Sequence, residues 1–144
     1  MSTPYSEIFD RFERQITDYD LFTMLDVDKQ SNYKKILSNA VVHFDYACDS
    51  DLSDKDDTAE TFTDDLTDTE QLTVALYMAY EWSLPYVQNQ DLLQQYITVS
   101  SLSIGSQSLQ LAQVQKLNRL SKERADGLKT KYSFRKKYNR LGWL

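Results

Sequence analysis

Apolar side chains return at intervals of three and four along much of this chain, most regularly through Tyr33, Ile36, Leu37, Ala40, Val41, Phe44, Ala47 and Cys48. That spacing gathers the apolar groups on one side of an α-helix, whereas a half-buried strand needs strict alternation. Ser31 or Asn32 can cap this helix. Three glycines and two prolines in 144 residues leave little material for tight hairpins or Gly-rich phosphate loops. The abundance of Leu, Gln, Lys and Ala favours helix. The expectation is an all-α fold, a small helical bundle with a long C-terminal helix and an extended basic tail, of about one domain's length.

Other segments fit that class. Thr3 and Pro4 have the form of a cap and a first helical residue, and Ile8, Phe9, Phe12 and Ile16 follow on one face, so a helix is expected near 4–16. A turn through Thr17 to Asp20 follows, and Leu21 to Leu25 reads as one further short turn. Asp49 to Asp65, rich in acids, Ser and Thr and anchored by Leu52 and Phe62, reads as a surface loop. Thr67 and Glu70 stand at the spacing of a capping box, which predicts a helix running to Leu84, where Pro85 disfavours its continuation. That helix is apolar nearly all round and is expected at the centre. Asn89 suits the cap of a short helix through Leu92, Leu93 and Tyr96; Ile97, Thr98 and Val99 lead into a Ser-rich linker or extended segment over 100–108. The final helix is expected from near Ser106, with Leu109, Ala112, Val114, Leu117, Leu120 and Leu128 as a narrow stripe weakened at Gly127.

Charge divides the chain. Residues 1–100 hold twenty acids and six bases, and residues 101–144 hold ten bases and two acids. Two regions are expected: an acidic helical bundle over 1–100, and a linker, long helix and basic aromatic arm over 101–144. Such polarity suits docking against other macromolecules. In the arm, Lys131, Tyr132, Phe134, Arg135, Lys136, Lys137, Tyr138, Arg140, Trp143 and Leu144 interleave rings and bases. That composition suits a protein interface, where Tyr, Trp and Arg supply most of the binding energy. It also suits single-stranded nucleic acid, whose bases stack on rings between phosphate contacts. The acidic body favours the protein partner.

Signals for chemistry are weak. His43 lies beside the stripe with no Cys, second His or acid at metal-ligand spacing, which fits a half-buried histidine with a backbone partner. Glu81 has no sequence neighbour with which to share a proton, and a salt bridge at the rim is expected. Asp49, Asp51 and Glu60 match positions one, three and twelve of a calcium hand, but Asp54 stands where the sharp turn needs Gly. Cys48 reads as a small core residue. No Gly-rich phosphate loop, paired-cysteine, paired-histidine or nucleophile signature occurs. No catalytic, cofactor or metal residue is therefore assigned, and the chain is expected not to be an enzyme. No secretory leader or membrane-length apolar run is present, so an intracellular site of synthesis is expected.

These pieces together resemble a family of small structural proteins of tailed bacteriophages, the head-completion or head–tail connector (adaptor, neck) proteins. The residues that carry the resemblance are Ile8-Phe9-Asp10-Arg11-Phe12, Thr17-Asp18-Tyr19-Asp20-Leu21, the run from Glu60 to Glu70, Leu76-Tyr77-Met78, Glu81-Trp82-Ser83-Leu84-Pro85, Ile104-Gly105-Ser106-Gln107-Ser108 and Tyr132-Ser133-Phe134. The resemblance covers most of the chain and implies a mostly helical protein of the virion neck, made in the host cytoplasm. It further implies a homo-oligomeric ring, commonly of twelve subunits, beneath the portal protein, in contact with other neck or tail proteins. DNA would pass through such a ring without sequence-specific binding. Lys122 to Leu144 would be the docking element, and the acids of Asp49 to Asp65 would face outward or line the channel. The chain is longer than the commonest small adaptors, which leaves a stopper or another neck role open. A nucleic-acid-binding accessory protein acting through the basic arm is the alternative, and a small helical hydrolase or metal protein the third possibility.

Overall fold

The computed structural model describes residues 2–18, 32–88 and 104–140, and within the last stretch the side chains of 111–135. These residues are mostly helical. In chain order they form β1 (Thr3–Pro4), α1 (Tyr5–Asp18), α2 (Tyr33–Phe44), β2 (Lys55–Asp56), β3 (Thr61–Phe62), α3 (Asp68–Gln88) and α4 (Ile104–Arg140). The segments expected at Leu21–Leu25 and from Asn89 to Tyr96 lie outside the described residues.

Helix α3 packs against α1, α2 and α4. Val74 to Ala79 are buried without interruption, as an all-round apolar helix requires. Around it lie Tyr5, Ile8, Phe12 and Ile16 of α1, Tyr33, Leu37, Ala40, Val41 and Phe44 of α2, and Val114, Leu117 and Ala125 of α4. At its start the capping box is formed: Glu70 N donates to Thr67 Oγ1 at 3.2 Å, and Thr67 N donates to Glu70 Oε1 at 3.0 Å. Polar ties fasten α1 alongside. Arg11 donates to Gln71 Oε1 and Asp68 Oδ1, and Gln71 Nε2 donates to Glu7 Oε2.

Several local expectations are corrected. Pro85 does not end α3, which runs on to Gln88. The missing N–H falls in the last turn, where only one bond is forgone. The preceding turn is braced from α4, since Asn118 Nδ2 donates to Tyr80 O at 3.2 Å and to Ser83 Oγ at 3.1 Å. Thr3 is not a helix cap. Its chain lies antiparallel to β3, with Thr3 opposite Phe62, and its buried hydroxyl donates to Asp64 O and accepts from Leu66 N. The acidic stretch is more ordered than a surface loop, because β2 and β3 pair as a short hairpin beside β1. Its carboxylates bond within the stretch: Asp56 Oδ1 accepts from Thr58 N and Ala59 N, Asp51 Oδ1 from Ser53, and Asp54 Oδ1 from Thr63. Helix α4 begins at Ile104, inside the stretch expected to be a linker.

Helix α2 ends at Phe44, so Cys48 lies in the turn beyond it and is only half-buried. Its thiol donates to Glu70 Oε2 at 2.8 Å. Cys48 thus packs against the core, as expected of it, but at the margin and with a hydrogen bond to a carboxylate, where full burial was expected.

Candidate docking groove

The buried residues of α4 with described side chains are Val114, Leu117, Ser121 and Ala125, and Leu128 and Tyr132 pack against the same core. Their spacings of three and four place them on one face. Ser121 and Ala125 are small, which lets α4 approach α3 closely. Residues two apart on a helix point about 200° apart at 3.6 residues per turn. Tyr132 and Phe134 therefore face opposite ways.

Tyr132 turns inward. Its ring meets Phe44 edge-on at 5.2 Å between centroids. Its hydroxyl accepts from Asp49 N at 2.7 Å and donates to Glu70 Oε2 at 3.4 Å. Glu70 is the hub of this contact, since it also takes the Cys48 thiol and the capping bond. Burial pushes the Glu70 carboxyl upward, but bonds donated by Cys48, Thr67 and Ser50 outweigh that and hold it below the usual carboxylate range. Burial, and then the carboxylate itself, pushes the Cys48 thiol up to about 12. The Tyr132 hydroxyl is likewise raised, first by burial. At neutral pH the set is a neutral thiol and phenol around one carboxylate.

A second network joins α2, α3 and α4. His43 Nε2 meets Glu81 Oε1 at 2.5 Å, and the imidazole stacks on Tyr77 at 4.9 Å and 14°. Tyr77 donates to Asp126 Oδ1 at 2.5 Å, and Lys122 Nζ pairs with Asp126 Oδ2 at 3.1 Å. Burial acts to raise the Asp126 carboxyl, but these two donors keep it low; burial and Asp126 in turn raise the Tyr77 phenol. The partner of Glu81 is thus His43, a contact that is an ion pair only when the imidazole is protonated. The backbone partner expected for the imidazole is replaced by this carboxylate, which stands 38 residues away in sequence.

Phe134 turns outward. Together with Val42 and Tyr46 it makes up the exposed large apolar side chains among the described residues, at 55%, 71% and 76% exposure. Val42 lies in the last turn of α2 and Tyr46 two residues beyond its end, and Tyr46 faces Phe134 across a cavity of about 300 Å³ that Ala47, Lys129, Thr130 and Ser133 also line. Lys129 spans its floor: its amine donates to Tyr46 Oη at 2.8 Å and to His43 O at 3.3 Å, and lies over the Tyr46 ring at 5.1 Å. Lys131 and Arg135 are exposed on the same helix. Among the described residues none of Lys129, Lys131 and Arg135 forms an ion pair.

Of the ten interface candidates, Lys131, Phe134 and Arg135 are therefore exposed, and Tyr132 is committed to its own chain. The side chains of Lys136, Lys137, Tyr138 and Arg140 lie outside those described, as do Trp143 and Leu144 altogether. Val42, Tyr46 and Lys129 were not singled out from sequence. The available signal was an apolar pair four apart, both off the main stripe of α2. Among the described residues no group of His, Cys, Asp and Glu is placed to hold a metal ion.

Comparisons with protein families, curated proteins and solved structures find no match to this chain.

Proposed function

We propose that this chain is a non-enzymatic virion protein of the head–tail connector type, which joins the portal to the tail by assembling as a ring. In this reading the protein is a small helical bundle whose long C-terminal helix continues into a basic tail and docks on the portal or on a neighbouring subunit. The observation that carries it is the groove. Two of the three exposed large apolar groups among the described residues, Tyr46 and Phe134, face each other there, and Lys131 and Arg135, which form no ion pair among the described residues, are exposed on the same helix as Phe134, which is the composition of a docking surface. The charge division between body and arm supports the same reading.

Binding of the Tyr46→Ala/Phe134→Ala variant to isolated portal rings tests it. Docking through these rings should fall at least about tenfold while persisting in the wild type at raised salt, as expected of contacts that desolvate aromatic groups. Unchanged binding by the variant would remove the groove from the interface. The alternative is a nucleic-acid-binding accessory protein using the same rings and bases. It predicts instead a steep loss of binding as salt rises.

A further inference from the structure

We infer that the groove between Tyr46 and Phe134 receives the acidic β2–β3 hairpin of a second copy of this chain, in a head-to-tail contact. The inference rests on the connector reading and names the partner of that site.

Two surfaces of opposite sign are held apart by one rigid element. The hairpin lies along the first half of α2: Lys34 Nζ donates to Asp57 O at 3.3 Å and pairs with Glu60 Oε1 at 3.1 Å, and Lys55 Nζ donates to Ser38 Oγ at 3.3 Å. The groove opens two residues beyond the end of α2, at Tyr46. From Ser38 to Tyr46 is eight residues, a length of about 12 Å at 1.5 Å per residue. The hairpin therefore cannot reach the groove of its own molecule. Between copies it can, and the charges match. Asp54 and Asp56 are exposed around the hairpin beside Asp57, which accepts from Tyr5 Oη, and Glu60, which pairs with Lys34; across the contact they would face Lys131 and Arg135, which form no ion pair among the described residues. The hairpin tip, Thr58 and Ala59, presents two small exposed side chains to a cavity of about 300 Å³. A second copy also brings this acidic surface at the same concentration as the groove.

A contact of this kind uses different patches on its two sides. Repeated, it generates a closed ring when the rotation per contact closes, and a filament when it does not. Ring assembly then needs no surface beyond these two.

The test changes charge at exposed positions whose side chains make no hydrogen bond or ion pair among the described residues. Thr58→Lys/Ala59→Lys places bases on the hairpin tip, and Lys131→Glu/Arg135→Glu places acids beside the groove; circular dichroism should match the wild type for both. Native mass spectrometry follows assembly alone and on portal rings. Each double variant should weaken assembly at least about tenfold, and an equimolar mixture of the two should restore it, because each then meets a complementary surface. A wild type that forms no oligomer in either setting, variants that assemble normally, or a mixture that fails to recover overturns the inference. If the Lys131→Glu/Arg135→Glu protein assembles but no longer binds portal rings, the inference falls and the connector reading stands. Failure of the wild type to bind any neck component removes the reading itself. Binding of single-stranded oligonucleotide that this variant loses, with assembly unchanged, overturns the inference in favour of nucleic acid.

Discussion

Helices α3 and α4 both lack a strong one-sided pattern, for opposite reasons. On α3, residues 73–79 are buried all round because α1, α2 and α4 enclose it. On α4 the inward line is a narrow row of small and aliphatic groups, and Ala112, Gln115, Lys116, Arg119, Lys122, Glu123 and Arg124 are exposed around it. A helix enclosed on every side specifies the fold; one held by a single edge keeps the rest of its surface for other contacts. The arrangement of Tyr132 and Phe134, two positions apart and pointing opposite ways, repeats that division within one turn of α4.

The largest effect expected is on the enclosed side. Phe12 is fully buried and stacks on Tyr33 at 5.3 Å, with Trp82 edge-on at 6.4 Å. Phe12→Ala should lower stability by about 3–5 kcal/mol, from lost transfer free energy and the cavity left behind. Urea denaturation measures it, and a loss under about 1 kcal/mol would mean that α1 is not integral to the core.

Next comes the hub between the two regions. Glu70→Ala removes one half of the capping box and the acceptor for the Cys48 thiol and Tyr132 hydroxyl, which should cost about 1–3 kcal/mol. Its pH dependence has a definite sign. A carboxyl held low in the folded state stabilises above its ordinary value of 4.5, and that contribution disappears as pH falls through the lower folded value. The thiol acts at the other limb: its contribution is complete below its ordinary 9.0 and fades as pH rises from there to about 12. Unfolding followed from pH 3 to pH 10 should therefore show the wild type losing ground at both ends, and Glu70→Ala with a flatter profile at each. An unaltered acid limb in the variant would show that Glu70 does not couple folding to protonation.

Much of this division was legible in the sequence, and its gaps have physical causes. The α2 stripe and the Thr67–Glu70 capping box are local patterns, readable because their partners stand three or four residues apart. The His43–Glu81 pair joins residues 38 apart, and no spacing rule reaches across two helices. The strands are two residues each, too short for alternation to show. On α4, counting Ala112 and Leu120 as stripe residues set the phase wrongly, because the buried line runs through Ser121 and Ala125, which carry little hydrophobic signal. With that line continued through Leu128, Tyr132 falls inside and Phe134 outside. The groove itself needed the structure, since Tyr46 and Phe134 come from different elements.

On the exposed side, Phe134→Ala alone should leave stability within about 0.5 kcal/mol, as for a surface substitution. It should nonetheless weaken docking. A binding loss accompanied by an equal loss of stability would mean that Phe134 belongs to the fold, and the contrast with Tyr132 would collapse. Tyr132→Phe is the matched control. It keeps the ring on Phe44 but removes the hydroxyl that serves Asp49 and Glu70, so it should lower stability by about 1 kcal/mol and leave docking unchanged.

The smallest effect distinguishes a helix that tolerates change from one that does not. Gly127 lies within α4, is exposed, and would meet nothing within 4 Å if it carried a Cβ. Glycine in a helix interior costs about 0.5–1 kcal/mol relative to alanine, because the unfolded chain has more conformations to lose. Gly127→Ala should therefore stabilise the protein by a similar amount, read as a rise in the urea midpoint with an unchanged slope. Docking by the same variant then reports on the groove, because residue 127 sits about half a turn before Lys129. If the midpoint rises and docking is kept, α4 acts as a rigid rod presenting its outer face. If the midpoint rises while docking falls, the partner needs a bend at Gly127, and the outer half of α4 takes another course when bound.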